Sequence, residues 1–130
     1  MQVDLKCRDC NNKYSDREKR WRCDCGGLLD IETDQKFDRN KIIKSDSSIW
    51  RYKHFLTLKG DSPISLGEGW TPIINDSDNL QFKLDFLMPT GSFKDRGASV
   101  LVSKMQELGI TRAVEDSSGN AGKAIASYCA

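Results

Sequence analysis

Residues 88–100 read MPTGSFKDRGASV. A Pro-Thr-Gly turn leads into a stretch that predicts a helix from Ser92, with apolar positions at Phe93, Val100, Leu101, Met105 and Leu108 and Gly109 as its stop. Ser92 and Asp95 have capping-box spacing, in which the serine oxygen takes the Asp95 backbone N–H and the carboxylate reaches back. Lys94 then falls at the second helical position, where a cation faces the positive end of the helix dipole. That placement suits an amine used as a nucleophile able to form a Schiff base. A surface lysine whose stem carries its charge out to water fits the same pattern.

Working outward, Leu80, Phe82, Leu84 and Phe86 alternate with Gln81, Lys83 and Asp85, which predicts a strand with one apolar face. Beyond the helix, Thr111 to Glu115 predicts a second short strand, and Asn120 onward a second helix. Between them lies DSSGNAG, residues 116–122. A strand, a loop of small residues and a helix start can turn several backbone N–H groups toward one anion. Ser117, Ser118 and Asn120 add polar side chains, while Gly119, Ala121 and Gly122 allow close approach. A plain helix cap is the competing reading.

Upstream, residues 35–77 form a charged connecting region. One helix is expected near Ser47 or Ser48, carrying Ile49, Tyr52, Phe55 and Leu56, and ending at Gly60-Asp61-Ser62-Pro63. Residues 1–34 hold strand-like runs at 2–5 and 28–31 around a polar loop. They also hold four of the five cysteines: Cys7, Cys10, Cys23 and Cys25. Cys7-x2-Cys10 is a good metal-knuckle spacing; Cys23-x-Cys25 is tighter, and Gly26-Gly27 permits the sharp turn. Four thiolates with no nearby histidine predict a closed structural zinc site, against a ribbon with free thiols. His54 is remote from them and expected at a surface or packed position. Cys129 reads as a small buried residue, and Trp21, Trp50 and Trp70 as packing anchors.

Composition narrows the function classes. Hydrophobic content of 38% with 30% charged residues is that of a globular chain. No apolar run approaches the roughly 20 residues that span a bilayer, and the first ten residues have no signal-peptide core, so a cytoplasmic setting without membrane contact is expected. A net charge of +1 offers little to nucleic acid. Arg17, Lys19, Arg20 and Arg22 are interleaved with Asp16, Glu18 and Asp24, as on a solvated face.

PTGSFKDRGA followed by EDSSGNAG closely resembles the threonine synthase family, enzymes of fold-type-II pyridoxal-phosphate architecture. SLGEGWTPI, residues 65–73, is similar to that family's opening segment, and the cysteine-bearing N-terminus resembles a zinc-ribbon-like extension found on some members. Departures are Asp85, Met88 and Lys123, where Glu, Asn and a small residue are more usual. The resemblance implies an α/β fold: the N-terminal part of a three-layer αβα domain with a mostly parallel sheet. Residues 1–34 would be ribbon, 35–77 a connecting arm and 78–130 the start of the cofactor domain. A β-α-β-α run that stops before its sheet is covered leads one to expect a longer protein, and its open edge a homo-oligomer. The resemblance implies Lys94 as the lysine that holds pyridoxal phosphate, and Asn120 as the partner of the cofactor's ring hydroxyl oxygen. The loop Ser117, Ser118, Gly119, Asn120 and Ala121 would receive the carboxylate of an amino-acid substrate, O-phosphohomoserine. The cofactor's phosphate loop and ring-nitrogen partner are expected further along. Cysteate synthase and threonine or serine dehydratases are the near alternatives. A zinc-ribbon interaction module carrying a truncated enzyme remnant is the alternative of another class.

Overall fold

The computed structural model describes residues 3–130, and the chain separates into two compact units, Met1–Arg39 and Asn40–Ala130. The first is a three-stranded antiparallel sheet in the order β2-β1-β3, with β1 at Val3–Cys7, β2 at Lys13–Ser15 and β3 at Leu29–Thr33. Leu5 stands opposite both Tyr14 and Ile31, which fixes the register of the centre strand. The two runs read from the sequence are therefore neighbours; Gln2, the predicted start of the first, lies outside the described residues. Strand β2 was not expected, because KYS is too short to show alternation. So small a sheet buries few apolar side chains, and the buried ones include Val3, Cys7 and Cys23.

The helix expected near Ser47 or Ser48 is a 3-10 helix at Ile49–Phe55, in the second unit. Ser48 caps it by accepting the Trp50 N–H at 3.1 Å, and the backbone departs from helical geometry at Tyr52. A tight hairpin follows, β4 at Ile73–Ser77 antiparallel to β5 at Leu80–Lys83. The predicted strand therefore ends three residues early, and its apolar face is not buried: Leu80 and Phe82 remain exposed. Residues 85–87 turn instead into a single 3-10 turn before Met88, which is buried.

Helix α1 runs Lys94–Glu107 and α2 runs Asn120–Cys129. The buried stripe of α1 is Asp95, Ala98, Ser99, Val102 and Ser103, whereas Phe93 and Leu101 of the expected apolar face are exposed. Small side chains on that stripe let α1 approach α2 closely, and Ala98, Val102, Ala124 and Tyr128 form the core with Ile64 and Ile125 against it. Residues 57–68 run along α1, tied by Ser103 Oγ accepting the Ile64 N–H at 2.8 Å and by Glu107 accepting the Lys59 N–H at 2.7 Å.

The strand expected at Thr111–Glu115 is not formed, and Val114 is 97% exposed. A strand needs a neighbour to complete its ladder, and among the described residues this segment has none. Both sheets among those residues are antiparallel. Cys129 is exposed rather than buried. Of the tryptophans only Trp50 is a buried anchor; Trp21 and Trp70 are exposed and lie beneath arginines, Arg22 at 4.5 Å and Arg51 at 4.1 Å from the ring centroids.

Candidate functional site

Lys94 is the first residue of α1 and is exposed, its Nζ 4.6 Å from the centroid of the Phe93 ring. The turn before it is built differently from a capping box. Ser92 Oγ lies 3.4 Å from the Lys94 N–H, not the Asp95 N–H, and Asp95 does not reach back to Ser92. The fully buried Asp95 carboxylate instead accepts the Thr90 N–H at 2.7 Å and the Thr90 hydroxyl. Burying a carboxylate is costly unless donors satisfy it, so Thr90 and Asp95 together fix the Pro-Thr-Gly turn directly beneath Lys94.

A second network steadies the hairpin against α1. Thr71 Oγ1 donates to Asp85 at 2.5 Å, and Arg96 Nη2 donates to the same carboxylate oxygen at 3.1 Å. The Thr71 hydroxyl and then the Arg96 guanidinium hold the Asp85 carboxyl below the usual carboxylate range. A folded-state value below the unfolded one stabilises the fold above the ordinary range, about pH 4, and that contribution is lost as pH falls through the depressed value. Asp85→Asn is therefore expected to flatten the acid limb of a stability-versus-pH curve, read from urea midpoints between pH 2 and 6.

Asn120 is the first residue of α2 and is exposed, as are Ser118 and Gly119; Ser117 and Ala121 are half-buried. Ser117 Oγ accepts the Gly119 N–H at 3.2 Å, and the Gly119 carbonyl accepts the Lys123 N–H at 3.1 Å. Gly122 is required for close approach: a Cβ there would overlap the Ser117 carbonyl. Lys123 Nζ lies beside Gly91, 3.7 Å from where a Cβ on Gly91 would stand. The Lys123 side chain of the first turn of α2 thus reaches the turn that precedes Lys94. A cleft of about 570 Å³ is lined by residues that include Val102, Met105, Ser117, Gly122, Ile125 and Tyr128. Neither Lys94 nor Asn120 lines it.

Sequence reasoning missed Glu68, which is fully buried. Its carboxylate accepts from Trp50 Nε1 at 2.9 Å, Ser65 Oγ at 3.1 Å, the Leu66 N–H at 2.9 Å, Tyr128 Oη at 2.9 Å and Ser99 Oγ. Burial, and then the bond to Glu68, push the Tyr128 phenol well above its ordinary value, so it stays a donor. The signal available was a lone acid between glycines in LGEGW, too common a pattern to single out.

The four cysteines of the first unit converge, and all four Sγ atoms lie within 4.8 Å of one another. Cys7 and Cys25 are 3.6 Å apart and Cys10 and Cys23 3.4 Å, as free thiols. Zinc–sulfur bonds of about 2.3 Å place the corners of a tetrahedron about 3.8 Å apart, so the donor set fits such a metal. The turn that makes this possible rests on Gly26, at φ +88°, and on Gly27, where a Cβ would stand 2.8 Å from Cys7 Sγ. The Tyr14 hydroxyl, with backbone at Cys25, lowers the Cys23 thiol to about 6. Backbone at Gly27 pulls Cys25 down, but its neighbouring thiols outweigh that and push it up to about 12.

The chain belongs to the family of pyridoxal-phosphate dependent enzymes, whose family model matches residues 64–130. It is 36% identical over 139 residues to a threonine synthase of Methanocaldococcus jannaschii, covering 96% of this chain and 34% of that protein. It is likewise 36% identical over 136 residues to a threonine synthase of Methanosarcina acetivorans, covering 95% and 33%. A threonine synthase of Halalkalibacterium halodurans is 39% identical over 95 residues, covering 62% and 27%. The chain spans about a third of the length of the first two relatives. No solved structure matches it. No helix among the described residues is long and apolar enough to cross a membrane.

Proposed function

We propose that the chain is part of a threonine synthase, which converts O-phosphohomoserine and water to threonine and phosphate. The observation that carries this reading is the likeness to threonine synthases along almost the whole chain, cysteine unit included. In it, residues 1–34 form the zinc-ribbon-like segment, 35–77 the connecting arm and 78–130 the start of the cofactor domain, one layer system of a mostly parallel αβα fold.

When bound, pyridoxal phosphate supplies an electron sink for negative charge at the substrate α carbon. The chain supplies the rest. Lys94 would hold the cofactor covalently, and its amine would move protons at the substrate's α and β carbons. Its place above the Thr90–Asp95 clamp keeps the amine on a fixed turn rather than a loop. The Asn120 amide would hydrogen-bond the cofactor's ring hydroxyl oxygen. Ser117, Ser118 and the N–H groups from Gly119 to Ala121, at the positive end of α2, receive the substrate carboxylate. The γ-phosphate leaves, a proton is delivered to the γ carbon, which becomes the methyl group of threonine, and water then adds at the β carbon.

The test is to supply the protein isolated from its native source with O-phosphohomoserine and follow both products. Equal release of phosphate and threonine supports the reading. Phosphate released from O-phosphoserine in the presence of sulfite assigns cysteate synthase instead, and deamination of threonine or serine assigns a dehydratase.

Cys7, Cys10, Cys23 and Cys25 hold a structural zinc ion in this reading. About one zinc per chain is expected by elemental analysis, falling to a small fraction in Cys7→Ser and Cys23→Ser. Full retention in both variants would contradict the site.

A further inference from the structure

The four sulfurs are not equivalent. Cys7 and Cys23 are buried, while Cys10 and Cys25 are exposed to water. Each buried sulfur meets a protein donor: Cys7 Sγ accepts the Asp9 N–H at 3.4 Å, and Cys23 Sγ lies 3.0 Å from the Tyr14 hydroxyl. Four thiolates around a divalent cation leave a dianionic centre, and excess charge on buried sulfur needs donors because no water reaches it. The exposed pair can take those donors from solvent.

We propose that Tyr14 is a positioning residue of this metal centre, donating its hydroxyl proton to the Cys23 thiolate; the proposal rests on the zinc reading above. A metal-bound thiolate has no proton of its own, so in the loaded site only the phenol can be the donor of this pair. The surroundings of Tyr14 favour that direction. The Asp24 N–H points at the phenol oxygen at 3.3 Å and occupies a lone pair. The phenol's other acceptor, Asp24 Oδ2, is farther away at 3.3 Å, and the negative charge of that carboxylate is drawn to Arg20, which donates to its other oxygen, Oδ1, at 2.6 Å. The Arg20 guanidinium also covers the Tyr14 ring, 4.0 Å from its centroid, and a cation on the ring face makes the hydroxyl a better donor. Strand β2 supplies the position: Tyr14 pairs with Leu5 of the strand that ends in Cys7, so the sheet carries the phenol to the metal site.

The test is a zinc competition titration of the full chain against a chromophoric chelator, with Tyr14→Phe beside wild type, and the absorption spectrum of both loaded with cobalt(II). Tyr14→Phe keeps the ring under Arg20 and removes only the hydroxyl. Zinc affinity is expected to fall by roughly 10-fold or more. The sulfur-to-cobalt charge-transfer band is expected to move to longer wavelength, since a thiolate relieved of a hydrogen bond gives up an electron more easily. The band is read on loaded protein alone, so it reports on the donor even where the variant folds less well. Affinity within twofold of wild type and an unmoved band would overturn the role of Tyr14. A wild-type chain that takes up no metal would overturn the zinc reading, and the proposal with it.

Discussion

Glu68→Ala is expected to cost the second unit about 3–5 kcal/mol, a large part of the 5–15 kcal/mol by which domains are usually stable. The loss is not that of one contact. Trp50, Ser65, Leu66, Ser99 and Tyr128 all direct donors at this carboxylate, and they come from the 3-10 helix, the loop after it, α1 and α2. Truncation leaves several of these donors buried without a partner, each costing about 1–3 kcal/mol where water cannot enter. Glu68→Gln is expected to fall between, because its amide keeps one acceptor oxygen and turns an N–H group toward other donors. Urea unfolding followed by tryptophan fluorescence, in a background with Trp21→Phe and Trp70→Phe, reads the effect at Trp50, the indole that Glu68 itself holds. A loss below about 1 kcal/mol in the alanine variant would show that Glu68 is not the joint of this unit.

Lys94→Ala is expected to lower turnover in the proposed reaction by at least about 10³-fold, within the range that a positioned acid–base group alone contributes, with covalent attachment lost besides. Secondary structure and urea midpoint should scarcely change, because Lys94 is exposed and the turn is held by Thr90 and Asp95. Asp95→Ala should reverse that pattern: it disturbs both stability and turnover, since it removes the buried acceptor that sets the turn. Equal turnover in wild type and Lys94→Ala would remove the lysine from the chemistry.

The two helices were legible because their starts carry turn chemistry, Pro-Thr-Gly before one and Ser-Ser-Gly before the other. The face α1 buries was not. Its periodic large residues, Phe93 and Leu101, are exposed, while Asp95, Ser99 and Ser103 are inside, each engaged by a hydrogen bond that sequence spacing does not reveal. The same limit hid Glu68, whose five partners are spread from Trp50 to Tyr128. Leu80–Phe86 read as a sheet strand because its alternation is sound; the chain folds it into a hairpin with Ile73–Ser77, a pairing that depends on the turn at 78–79 and not on either strand alone. The cysteine cluster was legible from spacing, but the unequal surroundings of its four sulfurs were not, because Tyr14 reaches Cys23 across the sheet.

Covalent mapping tests the proposal that Lys94 is the cofactor lysine. The full chain is incubated with substoichiometric pyridoxal phosphate, reduced with borohydride and digested, and the pyridoxyl group is located by mass spectrometry. The account predicts a label concentrated on Lys94, lost in Lys94→Ala without transfer to Lys123. A label distributed over other lysines while Lys94 stays unmodified would contradict it.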